Sequence, residues 1–222
     1  SCYIFAKAQE GCKPLPQEVA LEKTDVLIVG AGIAGMVCAY ECLQRGLRVR
    51  MVDRHPREKI GGLARWAFGG MALVDTPLQH RMRIQDSPEI AWRDWQSFAE
   101  FPADASAAAA WGRYYVEHSR SRVYDYLIEK GLRFLPAVNW VERGRYGEDN
   151  NVPRYHELWG TGQRQIETFA SLIAPYEAQG QLSLEFETKC ETLLRDGQRI
   201  KGCRIINATT QASRDVFAAQ VV

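Results

Sequence analysis

Apolar residues recur along the chain as short solid runs, at helical spacing, and in strict alternation. Val26-Leu27-Ile28-Val29 is a β-branched run, the signature of a strand buried on both faces in a parallel sheet. Met36, Ala39, Tyr40 and Leu43 then recur at helical spacing, and Gly46 marks where that helix stops. Arg48 to Val52 is a second strand ending at the acid Asp53, so this stretch predicts a βαβ unit. Ile90, Trp95 and Phe98 predict a helix over 86–101, with Asp86 or Ser87 as its cap and Pro88 in its first turn. Core packing is the expected role of Trp92 and Trp95 there. Trp111, Tyr115, Val123 and Leu127 mark one side of a second helical region over 105–130, which Gly131 ends. His118 lies in it with no partner at ligand spacing and reads as structural.

The second half is read the same way. Residues 132–160 keep no sustained period and are expected to form a loop rich in aromatics, His and Arg. Ile166, Phe169 and Ile173 predict a helix over 162–180, broken near Pro175. Leu182, Leu184 and Phe186 alternate with Ser183, Glu185 and Glu187 as a half-buried strand. Residues 191–195 and 199–207 flank an Asp196-Gly197 turn signal, and a third strand falls near Val216. The stretch 217–222 is apolar and strand-like. The expectation is that this sequence is the N-terminal part of a longer polypeptide, with residues 1–23 a tail and 24–222 one domain incomplete at its C-terminus.

Between the first strand and first helix stands Gly30-Ala31-Gly32-Ile33-Ala34-Gly35, a full G-x-G-x-x-G. Each glycine has a physical reason there. Gly30 permits the tight turn, Gly32 lets a pyrophosphate approach the backbone, and Gly35 lets helix and strand pack closely. The helix N-terminus offers N–H groups and a positive dipole end to phosphates. Asp53 is placed to accept hydrogen bonds from a ribose hydroxyl. Strand before, helix after and acid at the end of the next strand form the context that gives this motif its meaning. A second glycine stretch follows, Ile60-Gly61-Gly62-Leu63-Ala64-Arg65-Trp66-Ala67-Phe68-Gly69-Gly70-Met71, whose two Gly-Gly pairs no simple βαβ unit needs.

Bulk properties narrow the class without naming it. The 222 residues allow one large domain or two small ones, and a chain this long can bury a core without disulfide staples. A net charge of +1 gives no sign of a nucleic-acid partner. No apolar run approaches the roughly 18 residues of a membrane span. The six cysteines form no C-x-x-C, and no metal site is expected. Cys38 and Cys42, one helical turn apart, read as small buried thiols, and the compartment as reducing and cytoplasmic.

The acid at the end of the second strand, followed by Gly61-Gly62 and Gly69-Gly70, resembles the FAD-binding flavoproteins of the fumarate reductase and succinate dehydrogenase superfamily. The phrase GGLARWAFGGMALVDTP, followed by SPEIAWRDW, is most similar to the 3-ketosteroid dehydrogenase-like branch. The resemblance implies an α/β fold, a Rossmann-like FAD-binding domain with an antiparallel β-meander inserted before its last strand. It implies that Gly30, Gly32, Ile33, Ala34 and Gly35 line the pyrophosphate, and that Asp53, with Arg54 beside it, holds the adenosine ribose. Gly61, Gly62, Leu63 and Ala64 would approach the pyrophosphate and ribityl chain, the last two through backbone only, because the family often has a polar pair such as Asn-Thr there. Phe68, Gly69 and Gly70 would pass beside the isoalloxazine, and Cys190 would meet adenine through its main chain. The loop would run along the substrate side, making Tyr146, Arg154, Tyr155 and His156 candidates for substrate contact or proton transfer; no catalytic residue is assigned.

The implied activity is flavin-dependent dehydrogenation or reduction, with hydride passing between a substrate carbon and flavin N5. A steroid, another enone or a dicarboxylate would all fit as the small-molecule substrate. Two other readings stand beside it. An NAD-binding dehydrogenase domain would suit Asp53, but it leaves both Gly-Gly pairs unexplained. A non-catalytic relic acting as an interaction module would fold without cofactor.

Overall fold

A computed structural model describes residues 24–99, 101–102, 106–140 and 152–222. The chain opens with β1 (Val26–Val29), α1 (Ile33–Gln44) and β2 (Val49–Val52), the predicted βαβ unit. Two short 3-10 turns, Arg57–Lys59 and Gly62–Trp66, lead to β3 (Gly70–Ala72) and α2 (Pro77–Arg81). Two helices, α3 (Pro88–Ala99) and α4 (Ser106–Ser119), come next; a π-helical turn, Arg120–Tyr124, leads into α5 (Asp125–Glu129). Strands β4 (Phe134–Asn139) and β5 (Tyr155–Leu158) precede α6 (Thr161–Ala178) and β6 (Leu182–Glu185). The chain finishes with β7 (Thr188–Asp196), β8 (Arg199–Asn207), β9 (Ser213–Phe217) and β10 (Gln220–Val221).

The organising sheet is parallel, in the order β10-β1-β2-β6. Its central strand β1 is solidly apolar because both faces there are covered. Val26, Ile28, Val49, Met51 and Leu182 point to the side where Met36, Ala39 and Leu43 of α1 meet Ile166, Phe169 and Ile173 of α6. Leu27 and Val52 point to the other side, against Cys203, Ile205 and Val216 of the meander β7-β8-β9. Each fully buried large side chain, such as Phe169, contributes roughly 1.5–3 kcal/mol. The meander is therefore an insertion between β6 and β10, as expected. Asp196-Gly197 makes its first turn, with Gly197 at φ +60°. The strand-like end is realised as β10, where the Val222 N–H donates to the Leu27 carbonyl and the Val29 N–H to the Val222 carbonyl.

Three expectations about elements need correction. The helix over 162–180 is not broken at Pro175: the proline sits in the last turn of α6, and its carbonyl still accepts from Gln179 N–H (3.1 Å). Only one helical bond is lost, too near the end to stop the helix. The region 105–130 is not one regular helix. The π-helical turn sets the buried Ser119 and Tyr124 five positions apart, so both face inward with Val116 and Leu127. Residues 132–160 are not simply loop, because β4 and β5 join β3 in a second, antiparallel sheet of order β3-β5-β4. Gly70-Met71-Ala72, to which the sequence pattern assigned no element, forms β3. Pro136 is tolerated in β4 because that strand is an edge and its register shifts there.

Candidate cofactor site

The ends of β1 and β2 and the start of α1 converge on one backbone cradle. Gly30, at φ +112°, turns the chain out of β1, and its N–H donates to the Val52 carbonyl at 2.8 Å. A side chain on Gly35 would collide with the Gly30 carbonyl oxygen, so this glycine sets the close approach of α1 to β1. Gly32, by contrast, faces open space: a Cβ there would meet nothing within 4 Å. No side chain caps α1 and no acid occupies its first turn, so its N-terminal N–H groups stay available. Ile33 is half-buried and Ala34 exposed at that end.

The second glycine stretch begins against the first. Gly61 N–H donates to the Ala31 carbonyl at 2.8 Å, and Gly32 and Gly61 form an isolated parallel bridge. Gly61 (φ +94°) backs onto Ile166 of α6, while Gly62 has nothing within 4 Å of a would-be Cβ. The two bare backbones thus lie side by side and open. Asp53 closes the third side. Its Oδ2 accepts from Ala31 N–H (2.7 Å), and its Oδ1 accepts from His55 N–H (2.8 Å) with the His55 ring Nδ1 3.3 Å away, which leaves Oδ2 a further lone pair. Arg54 stands exposed next to it. Bare backbone at a helix N-terminus, flanked by an oriented carboxylate, fits a pyrophosphate joined to a ribose.

Beyond the cradle, Leu63, Trp66 and Phe68 are exposed at 90%, 81% and 76%, while Ala64 packs inward under the N-terminus of α6. Gly69 and Gly70 differ from Gly32 and Gly62, because protein fills the space their missing side chains leave. A Cβ on Gly69 would press on the start of α6, and one on Gly70 would fall on the Tyr155 phenol. Cys190 lies on β7, an edge strand of the meander, with half of the strand's backbone groups facing outward. Its thiol packs into the Leu27–Cys203 cluster. Burial, together with neighbouring Cys190, pushes the Cys203 thiol up to about 12.

The substrate-side candidates separate sharply. Tyr146 lies outside the described residues. Arg154, just before β5, and His156, on it, are both buried and hydrogen-bonded inside the protein. The Arg154 guanidinium donates twice to Asp86 (2.8 Å each) and once to Asp94 (2.7 Å). Burial opposes its charge, and the two carboxylates outweigh that and keep it ionised. The His156 ring has 0% exposure. Its Nδ1 lies 2.6 Å from the Arg154 carbonyl, and its Nε2 lies 2.8 Å from Thr76 Oγ1. Thr76 Oγ1 accepts from Gln79 N–H (3.1 Å), so its own proton points at Nε2. Nδ1 then carries the ring proton and the imidazole is neutral. Burial holds its pKa below the usual histidine value.

Gln79 completes this network: its Oε1 accepts from Thr76 N–H (2.8 Å), and its Nε2 donates to Asp86 (3.0 Å) and the Pro153 carbonyl (2.9 Å). Thr76-Pro77-Leu78-Gln79 is a capping box with proline at the first helical position, a signal present in the sequence that the periodicity reading passed over. Ser87, not Asp86, caps α3, since its Oγ accepts from Ile90 N–H (3.3 Å), while Asp86 is committed to Arg154. Trp92 stacks on Phe101, Trp95 meets Tyr115 edge-on, and His118 stacks on Tyr114.

The order β6-β2-β1-β10, the glycine turn into α1 and the acid closing the second strand define an adenine-dinucleotide-binding α/β domain of Rossmann type. Residues 25–222 match the family model described as FAD binding domain, and the chain belongs to that family. It binds FAD, as flavin oxidoreductases of this family do.

Among curated proteins, it is 37% identical over 185 residues to a KsdD-like steroid dehydrogenase of Mycobacterium tuberculosis, covering 81% of this chain and 32% of that protein. It is 43% identical over 154 residues to the KsdD-like steroid dehydrogenase of Mycolicibacterium smegmatis, covering 67% of this chain and 28% of that one. The chain thus spans about a third of the length of these relatives. Among solved structures, an open-conformation flavocytochrome c3 fumarate reductase superposes at TM-score 0.71 (23% identity, 90% of this chain, 33% of that one). The 3-ketosteroid-Δ4-(5α)-dehydrogenase of Rhodococcus jostii RHA1, in complex with 4-androstene-3,17-dione, superposes at 0.65 (23% identity, 93% and 46%). At that identity the likeness concerns the fold alone. Among the described residues, no helix is long and apolar enough to cross a membrane.

Proposed function

We propose that residues 24–222 form the cofactor-holding part of a flavin-dependent oxidoreductase acting on a steroid-like cyclic enone. The observation that carries the cofactor reading is the pair of open backbones at Gly32 and Gly62, held together by the Gly61-to-Ala31 hydrogen bond at the uncapped start of α1. In this reading the N–H groups of Gly32, Ile33, Ala34 and Gly35 face the pyrophosphate. Gly30 and Gly35 set the turn and the helix position that aim them. Asp53 uses the remaining lone pair of Oδ2 on the adenosine ribose, with Arg54 at the rim. Gly61, Gly62, Leu63 and Ala64 give backbone to the pyrophosphate and ribityl chain, and Phe68 with Gly69-Gly70 borders the ring system. Cys190 meets adenine through its outward main chain. FAD, when bound, supplies the hydride chemistry at N5; the protein supplies position and electrostatics. The enone class is supported by the KsdD-like steroid dehydrogenases, whose similarity spans most of this chain.

The purified chain should show the visible absorption of a flavin, and heat should release FAD into the supernatant. A colourless, folded protein that takes up no added FAD would overturn the cofactor reading.

A further inference from the structure

We propose that the Trp66 indole stacks on the flavin ring system, with Leu63 beside it, so that the 3-10 turn Gly62–Trp66 is the platform that receives the ring. The inference rests on the FAD reading of the cradle, and it names the side chain that meets the ring.

A 3-10 turn repeats every three residues, so side chains at i and i+3 stand in line. The turn Gly62–Trp66 follows that rule: Leu63 and Trp66 are both exposed, Ala64 packs inward, and Arg65 is half-buried. Leu63 and Trp66 therefore make one apolar face. The backbone behind it is pinned at both ends. At the start, Gly61 N–H donates to the Ala31 carbonyl, and Gly61 backs onto Ile166. At the end, Ala67 N–H donates to the Ala64 carbonyl (3.3 Å), and the Ala67 carbonyl accepts from Gly162 N–H (2.9 Å). Gly162 has no side chain, and that lets α6 press against the Ala64 and Ala67 carbonyl oxygens. Trp66 thus stands out from a fixed turn, and contiguous apolar surface held out in this way marks a site that something covers.

What covers it follows from continuity with the cradle. The turn begins at Gly62, whose open backbone lies beside the Gly32–Gly61 bridge. At about 2 Å of rise per residue, Trp66 lies about 8 Å further along. An extended ribityl chain has a similar length, and it is the linker between pyrophosphate and ring. A cofactor with its phosphates at Gly32 and Gly62 can therefore bring its ring to Trp66. The charge pattern agrees: Arg65 is the sole ionisable residue between Lys59 and Asp75, so the stretch suits an uncharged planar group. Indole is the largest aromatic side chain and electron-rich, and it stacks in offset fashion on an electron-poor ring. Stacking on one face of the ring leaves the other face to the substrate.

The test is a titration of flavin-stripped protein with FAD and with ADP, which has the adenosine and the pyrophosphate but no ring system. Wild type, Trp66→Leu and Trp66→Phe are compared, and the visible circular dichroism of bound FAD is recorded for each. Trp66→Leu is expected to bind FAD roughly five- to tenfold more weakly and ADP equally well, and to alter the flavin dichroism. Trp66→Phe should fall closer to wild type, because a smaller ring still stacks. Unchanged FAD affinity and dichroism in Trp66→Leu would overturn the proposal. So would equal weakening toward FAD and ADP, which would mean that Trp66 supports the cradle and not the ring. So would a Trp66→Phe no better than Trp66→Leu, since the aromatic face would then contribute nothing. A wild type that takes up no FAD would instead bring down the cofactor reading, and this proposal with it.

Discussion

Two sets of glycines in this chain carry the same sequence signal and perform opposite tasks. Gly32 and Gly62 look onto empty space, whereas the space at Gly35, Gly69, Gly70 and Gly162 is occupied by the protein itself. The first set removes side chains so that something else can lie against the backbone. The second removes them so that elements of the chain can touch each other: α1 against β1, the start of α6 against Ala64 and Ala67, and Tyr155 over β3. A glycine-rich stretch is therefore not one feature, and only the tertiary neighbours tell a ligand cradle from a packing joint.

Substitutions can break that contrast. The largest loss of stability is expected not at a glycine but at the buried anchor behind β5. Arg154→Met would leave Asp86 and Asp94 buried and uncompensated, at a cost of about 3–5 kcal/mol in denaturant melts. Gly35→Ala comes next, at about 1–3 kcal/mol, because its methyl group would overlap a backbone oxygen that shifts only if the β1 turn shifts. A smaller effect is expected from His156. With its folded pKa held below the ordinary value, the unfolded chain binds the proton first. Stability is therefore full above about pH 6.5 and declines as pH falls below it, by at most about 1.4 kcal/mol per pH unit. His156→Gln should flatten that part of a melting-temperature profile against pH. The smallest change in stability, within about 0.5 kcal/mol, is expected for Gly32→Ala, whose φ of −76° suits alanine and whose methyl group meets nothing. Its FAD affinity should nonetheless drop measurably in a flavin-release assay. If Gly32→Ala destabilised the apoprotein as much as Gly35→Ala, the distinction between open and crowded glycines would fail.

The elements that were legible in the sequence are those whose inward residues are apolar. The βαβ unit, α6, β6 and the meander all show their periods plainly, because burial selected Val, Ile, Leu and Phe at those positions. Strand β5 was missed for the converse reason. Arg154 just before it and His156 within it point inward, so a perfect alternation of burial reads as a polar, irregular stretch. Those two residues looked reactive as isolated letters. They are structural because Asp86, Asp94 and Thr76, remote in sequence, meet them inside the fold.

The glycine turn, the acid that faces it and the parallel core around them follow from local backbone sterics and from residues close along the chain. Which glycines stay open, which residues of β5 face outward, and the placing of the second glycine pair beside the first were settled by long-range packing. Each of these depends on contacts between segments tens of residues apart, such as Gly61 with Ala31 or Arg154 with Asp86, and local composition encodes none of them.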